Sequence, residues 1–213
     1  MEYTQKASIN KKTKNRGMIS ICITASISLL GLVMAIYSLV KLKLIFTIIY
    51  LVAVLLGLLY AVLKINTIIP PYIARSGDYL YFQSWCGLFP FRTDKGFIGE
   101  FLPTKSVLKK INISQINRIY LGTRNYLLKV VLQGEFADEL AAAKEKYENI
   151  IKKMEFIYIT TKDNNEVYMS VSDFDDELLA EVLKPIVEDN DMVDFKCNNR
   201  RISKSIPPKR LSY

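Results

Sequence analysis

MISICITASISLLGLVMAIYSLV, from Met18 to Val40, and LIFTIIYLVAVLLGLLYAVL, from Leu44 to Leu63, are two apolar runs separated only by Lys41-Leu42-Lys43. Neither contains an Asp, Glu, Lys, Arg or His. At ~1.5 Å rise per residue the first run, about 23 residues, spans roughly 34 Å and the second, about 20, roughly 30 Å, against a hydrocarbon core of ~30 Å. A buried soluble helix rarely needs that length twice in succession. Lipid offers backbone groups no partner and two spans cannot close a barrel, so both runs are expected to be helices forming a transmembrane hairpin, residues 18–63. A signal peptide is the rival reading of the first run, but its apolar stretch exceeds the usual ~7 to 15 residues, and Val33-Met34-Ala35 is a poor cleavage site.

The flanks predict orientation. Lys6, Lys11, Lys12, Lys14 and Arg16 precede the first run against the single acid Glu2, whereas the turn carries only Lys41 and Lys43. The positive-inside rule then puts the N-terminus and everything after Leu63 in the cytoplasm of a two-pass cell-membrane protein, although the two turn lysines are mildly disfavoured outside. Small residues recur at helical spacing along one face of each run: Ser20, Thr24, Ser28, Gly31 and Ala35 on the first, Ala53, Gly57 and Ala61 on the second. Such rows let backbones approach closely, either within the hairpin or between copies. The absence of intramembrane charge argues against a proton relay or an ion pathway.

The formal net charge of +8 is unevenly spread over the 213 residues. From Lys64 to Lys129 there are 10 basic and 3 acidic residues, from Val130 to Phe195 6 and 17, and from Lys196 onward 6 and none. A basic stretch next to the membrane suits an anionic inner leaflet, so the bilayer, anionic lipid included, is an expected partner. Nucleic acid is not, because no helix-turn-helix, zinc-finger or ribonucleoprotein motif accompanies the charge. The three cysteines, Cys22, Cys86 and Cys197, lack C-x-x-C spacing and imply neither a disulfide framework nor a zinc site. With no histidine in the chain, the commonest general base and metal ligand is missing. No phosphate-binding glycine loop, nucleophile elbow or zincin motif is present, and no cofactor is implied. A non-enzymatic role follows, with a hydrolase built on unrecognised carboxylates as the weakest competitor.

Taken in order, residues 1–17 are polar and basic without periodicity, and are expected to be a disordered arm. Ile69-Pro70-Pro71 ends the second span, and a soluble domain is expected over residues 69–190. Strands are predicted at Tyr72–Arg75, Tyr79–Gln83, Phe97–Leu102, Val107–Ile113, Ile116–Leu121 and Tyr126–Leu132. Glu135–Met154 places Phe136, Leu140, Ala143, Tyr147, Ile151 and Met154 on one stripe, which predicts an inserted amphipathic helix. Glu155–Thr161 and Glu166–Val171 form a hairpin across Lys162-Asp163-Asn164-Asn165. Ser172 or Asp173 is expected to cap a last helix running to about Glu188, which Pro185 kinks or shortens. The tail, residues 196–213, is basic, carries Pro207-Pro208 and is expected to be disordered.

Two stretches carry a resemblance. Lys110 to Ile119 is a strand-turn-strand closing on an I-x-x-I, and Ile157–Asp163 with Val167–Val171 leads into the apolar helix from Phe174 to Leu183. In this order they resemble the bacterial pleckstrin-homology-like domain, a family often found behind two membrane helices. The resemblance covers roughly Tyr72 to Glu188, and the helix at Glu135–Met154 departs from it. It implies an α+β membrane protein in which a PH-like antiparallel β-barrel or sandwich, closed by a C-terminal helix, follows the hairpin.

It also implies a binding or scaffolding role with a protein partner or self-association. The alternative it implies is immunity against a leaderless bacteriocin or another membrane-active peptide. As a membrane-interface site the sequence offers Trp85, Phe89 and Phe91, bordered by Arg92 and Lys95, since aromatic and basic side chains favour that depth. The acids Asp173, Asp175, Asp176 and Glu177 stand at a helix start, where capping explains them better than a cation site.

Overall fold

The computed structural model describes residues 4–64, 69–86, 105–130 and 154–207. Two compact units are present, one of residues 11–70 and one that joins residues 1–10 to residues 71–213.

The first unit is the helical hairpin. Helix α1, Lys11–Val40, and helix α2, Leu44–Leu63, are each long and apolar enough to cross a membrane. The three-residue connection turns sharply: Lys43 N–H donates to the Ser38 carbonyl at 2.9 Å and Leu42 N–H to that of Leu39 at 2.9 Å. Leu42 sits there at φ 55°, a left-handed conformation usual for the residue that ends a helix but costly for a side chain other than glycine.

The second unit holds two four-stranded sheets. One orders its strands β1 (Gln5–Ser8), β2 (Tyr72–Ser76), β3 (Tyr79–Cys86) and β4 (Lys105–Asn112), all antiparallel. The chain then turns through a single 3-10 turn, Ile113–Gln115, into β5 (Ile116–Thr123) of the other sheet. That sheet runs β7 (Glu166–Ser170), β6 (Glu155–Thr161), β5 and β8 (Asp194–Cys197). Its outermost pair, β5 with β8, is parallel and the others antiparallel. Helix α3 (Arg124–Val130) follows β5, α4 (Asp176–Glu188) follows the β6–β7 hairpin, and α5 (Arg200–Ser205) follows β8.

One apolar cluster ties these elements together. Ile73, Leu80 and Ile111 come from the first sheet, Ile119, Leu121, Ile157, Ile159 and Phe195 from the second, and Leu179, Leu183 and Ile186 from α4. Ile119 and Leu121 share one face of β5 and Tyr120 between them lies on the other, and all three are buried, so β5 is covered on both faces there.

Several expectations are corrected. Residues 5–8 of the arm form β1, which pairs Gln5 with Arg75 through Ser8 with Tyr72, and Ala7 is fully buried. A strand of four residues is too short for its periodicity to stand out among lysines. Arg124–Val130 is helical where a strand was expected from Tyr126, because a short apolar run fits either period; Leu127 is buried in the core and Tyr126, Leu128 and Val130 pack against it. Asp175, not Ser172 or Asp173, caps α4, its Oδ1 accepting from the N–H groups of Glu177 and Leu178. Pro185 stands within α4 without ending it. The tail through Pro207 is folded as β8 and α5, so this unit extends beyond residues 69–190 at both ends. Among the described residues neither sheet closes into a barrel, so the architecture is α+β with two open sheets. The strand expected at Phe97–Leu102 and the helix expected over Glu135–Met154, up to residue 153, lie outside the described residues.

Because Ala7 is sealed between β2 and the core, Ala7→Asp should destabilise the soluble unit by about 3–5 kcal/mol, the cost of an unpaired buried charge. Limited proteolysis of the full chain in detergent checks this: cleavage C-terminal to residue 71 should accelerate in the variant.

Candidate functional site

The seam of the hairpin is built from small and hydroxylated side chains. On α1, Ser20, Thr24, Ser28 and Gly31 are half-buried and Ala35 and Ser38 buried, while the residues between them are largely exposed. Gly57 of α2 lies so close to α1 that a Cβ there would collide with Ser28 Oγ and meet Thr24 Cγ2 at 3.5 Å. A Cβ on Gly31 would meet Val54 Cγ2 at 3.3 Å. Ser20 Oγ and the Tyr60 hydroxyl are hydrogen-bonded across the seam. Thr24 Oγ1 donates to the Ser20 carbonyl at 2.9 Å and Thr47 Oγ1 to that of Lys43 at 3.3 Å, so these two hydroxyls are satisfied within their own helices.

On α2 the face differs from the expected row. Ala61 and Gly57 lie in the seam, but Ala53 is exposed, and Val54, Tyr50 and Thr47 continue the stripe. Steps of three and four residues keep one side of a helix facing its neighbour, whereas three positions four apart drift off it. The rows are therefore occupied within the chain.

Of the expected interface residues, Phe89, Phe91, Arg92 and Lys95 lie outside the described residues, and Trp85 is described by its backbone in β3, opposite Ser106. Two of the acids at the start of α4, Asp175 and Asp176, are engaged structurally, Asp175 as the cap. Asp176 Oδ1 accepts from Asn199 Nδ2 at 3.1 Å and its Oδ2 from Arg201 Nη1 at 3.5 Å, while the same Asn199 amide donates to Glu155 Oε2 at 2.9 Å.

Two tyrosines that the sequence did not single out join polar partners in the second sheet. The Tyr120 hydroxyl donates to Asp194 Oδ2 at 2.6 Å, and Lys196 Nζ lies 3.2 Å from that hydroxyl and 3.3 Å from the carboxylate. The Tyr158 hydroxyl donates to Glu166 Oε1 at 2.6 Å. Burial, then the hydrogen-bonded carboxylate, pushes both phenols well above their ordinary range. Burial likewise raises the Cys197 thiol to about 11. Asp194 Oδ1 is buried with no hydrogen bond among the described residues. These contacts pin β8 to β5 and β7 to β6, with the phenols held neutral at physiological pH.

A cleft of about 510 Å³ opens at one end of the soluble unit. Its walls are Arg75, Gly77 and Asp78 at the β2–β3 turn, Asn112 to Ser114, Lys162, and, at the end of α4, Pro185, Ile186, Asp189 and Asn190. Gly77 makes the turn at φ +56°, with nothing within 4 Å of where a Cβ would stand. No protein-family model, curated protein or solved structure matches the chain.

Two measurements test these assignments. Gly57→Ala should weaken the hairpin by about 1–3 kcal/mol as Ser28 turns away, and Gly57→Leu should weaken it more, with Ser28→Gly recovering part of the loss in the alanine variant. Unfolding in mixed detergent micelles gives that order. The raised acids Tyr120, Tyr158 and Cys197 bind protons more tightly folded than unfolded, so stability should fall as pH climbs above about 9. Tyr158→Phe, or Cys197→Ala, should flatten that alkaline slope in a thermal-melt series from pH 7 to 11.

Proposed function

We propose that this chain is a two-pass membrane protein whose soluble unit is a non-enzymatic binding module held at the cytoplasmic face. One observation carries the reading: β1, before the first apolar helix, and β2, after the second, are neighbouring strands of one sheet. If α1 and α2 cross a bilayer, both flanks lie on the same side of it. The five basic residues between Lys6 and Arg16 make that side the cytoplasm. The helices themselves support the anchor, since their outward faces carry exposed Ile, Leu and Val along nearly the whole length. Burying such a surface needs lipid or other apolar cover.

The binding role rests on the resemblance of the last hairpin and helix to PH-like domains, an analogy of order and not of closed-barrel geometry. Anionic lipid is the first partner to test, because the stretch that follows the hairpin in sequence, Lys64 to Lys129, holds 10 basic and 3 acidic residues. The expected outcome in spheroplasts is a full-length protein that stays in the pellet after alkaline carbonate. Tags at both termini should resist external protease and be cleaved once the membrane is permeabilised. Release by carbonate would refute the anchor, and cleavage of both tags in intact spheroplasts would reverse the orientation.

A further inference from the structure

The cleft at the end of the soluble unit is not used by the anchor, and its lining is chemically divided. Its volume, about 510 Å³, falls in the ~300–1,000 Å³ range of small-molecule sites. Four charged side chains border it: Arg75 and Lys162, Asp78 and Asp189. None of the four forms an ion pair or a side-chain hydrogen bond among the described residues.

Arg75 is only partly exposed, yet its guanidinium has no acceptor among the described residues. That planar fork of donors is the group best shaped for a carboxylate or a phosphate. Lys162 adds a second cation, its strand end fixed by Lys162 N–H donating to the Gln115 carbonyl at 2.8 Å. Across the cleft, α4 ends with no basic residue in its last turn and with Asp189 at its C-cap. The partial negative charge of the helix end adds to that of Asp189, which pairs with no cation among the described residues.

Opposite charges lining one cleft usually close on each other. Here the β2–β3 pairing holds Arg75 opposite Leu80, and the Asp189 N–H donates to the Pro185 carbonyl at 3.0 Å, so the two sides stay beyond ion-pair distance. Two cations balanced by two acids give no net attraction for a multiply charged anion such as a nucleotide. They match a ligand that carries one charge of each sign.

We propose that this cleft binds a small zwitterion, with its carboxylate or phosphate on Arg75 and Lys162 and its ammonium on Asp189 and the terminal carbonyls of α4. Two sources supply that chemistry, a free amino acid and the phosphoethanolamine headgroup of a lipid.

The test uses the full chain in dodecyl maltoside micelles, titrated calorimetrically with glycine, O-phosphoethanolamine, inorganic phosphate and ethylamine. At least one of the two zwitterions should bind saturably, about tenfold or more tighter than phosphate or ethylamine alone. Arg75→Gln and Asp189→Asn should each weaken it about tenfold, with Lys162→Gln as a more exposed second probe of the anion side and a thermal melt confirming that each variant folds. In nanodiscs, competition by phosphatidylethanolamine identifies the headgroup as the source, and its absence identifies the free zwitterion. The proposal is overturned if neither zwitterion binds, if phosphate or ethylamine alone binds as tightly, or if the variants leave binding unchanged.

Discussion

The pairing of β1 with β2 is the constraint on which the rest of the structure depends. Four residues that precede the first apolar helix complete the edge of a sheet whose other strands follow the second. Ile9 extends the attachment by bridging to Phe174, the Asn10 N–H donates to the Asp173 carbonyl at 2.7 Å, and the Asp175 N–H donates to that of Ser8 at 3.0 Å. The soluble unit is thus interrupted, and the hairpin is inserted into it. Closing so long a connection through flexible chain would carry an entropic cost that grows only slowly with length. The hairpin lowers that cost further, because its antiparallel helices return the chain to the end from which it left. The seam and the sheet edge therefore support one another: glycine at position 57 brings the helices together, and the paired helices deliver β1 to its edge.

What the sequence disclosed followed the strength of the period. Both apolar runs of twenty or more residues without charge are helical as expected, but α1 starts seven residues earlier, at Lys11, so residues 11–17 of the arm expected to be disordered are helical too. The hairpin from Glu155 to Ser170 was equally legible, because alternating β-branched and aromatic residues flank four polar turn formers, and Asn164 adopts the φ of 58° that asparagine tolerates. β1 was hidden because four residues, two of them Gln5 and Lys6, carry too little alternation to separate from a basic arm. The cap of α4 was missed by two residues since Ser172, Asp173 and Asp175 are all competent caps, and only the bridge at Phe174 decides among them.

Site residues were legible where they repeat and illegible where they converge. Ser20, Thr24, Ser28, Gly31 and Ala35 form a row that a helix places on one side by itself. Ala53 failed because small size alone does not hold a residue on the stripe when the adjacent Val54 lies closer to its centre. Arg75, Lys162 and Asp189 come from three distant segments, and no local spacing relates them. Tyr120 and Asp194 are likewise joined only by the parallel pairing of β5 with β8.

The folded tail shows how charge segregation misleads when composition is weighed without pattern. Residues from Lys196 onward hold six basic side chains and no acid, a bias that ordinarily signals disorder. Within it Ile202 and Ile206 stand one helical turn apart, both almost fully buried, and Phe195 and Cys197 alternate inward on β8. Each buried aliphatic side chain contributes about 1.5–3 kcal/mol, more than the ~0–1 kcal/mol of an exposed ion pair such as Arg201 with Asp176. Apolar burial therefore holds the tail down, and the charges decide where. The acidic block before it supplies Asp176 for Arg201, Glu155 for Asn199 and Asp194 for Lys196. A chain that reads as separate acidic and basic stretches is, once folded, partly neutralised by its own complement. Arg75, Lys162, Asp78 and Asp189 form no ion pair among the described residues, and there a ligand with a charge of each sign has something to meet.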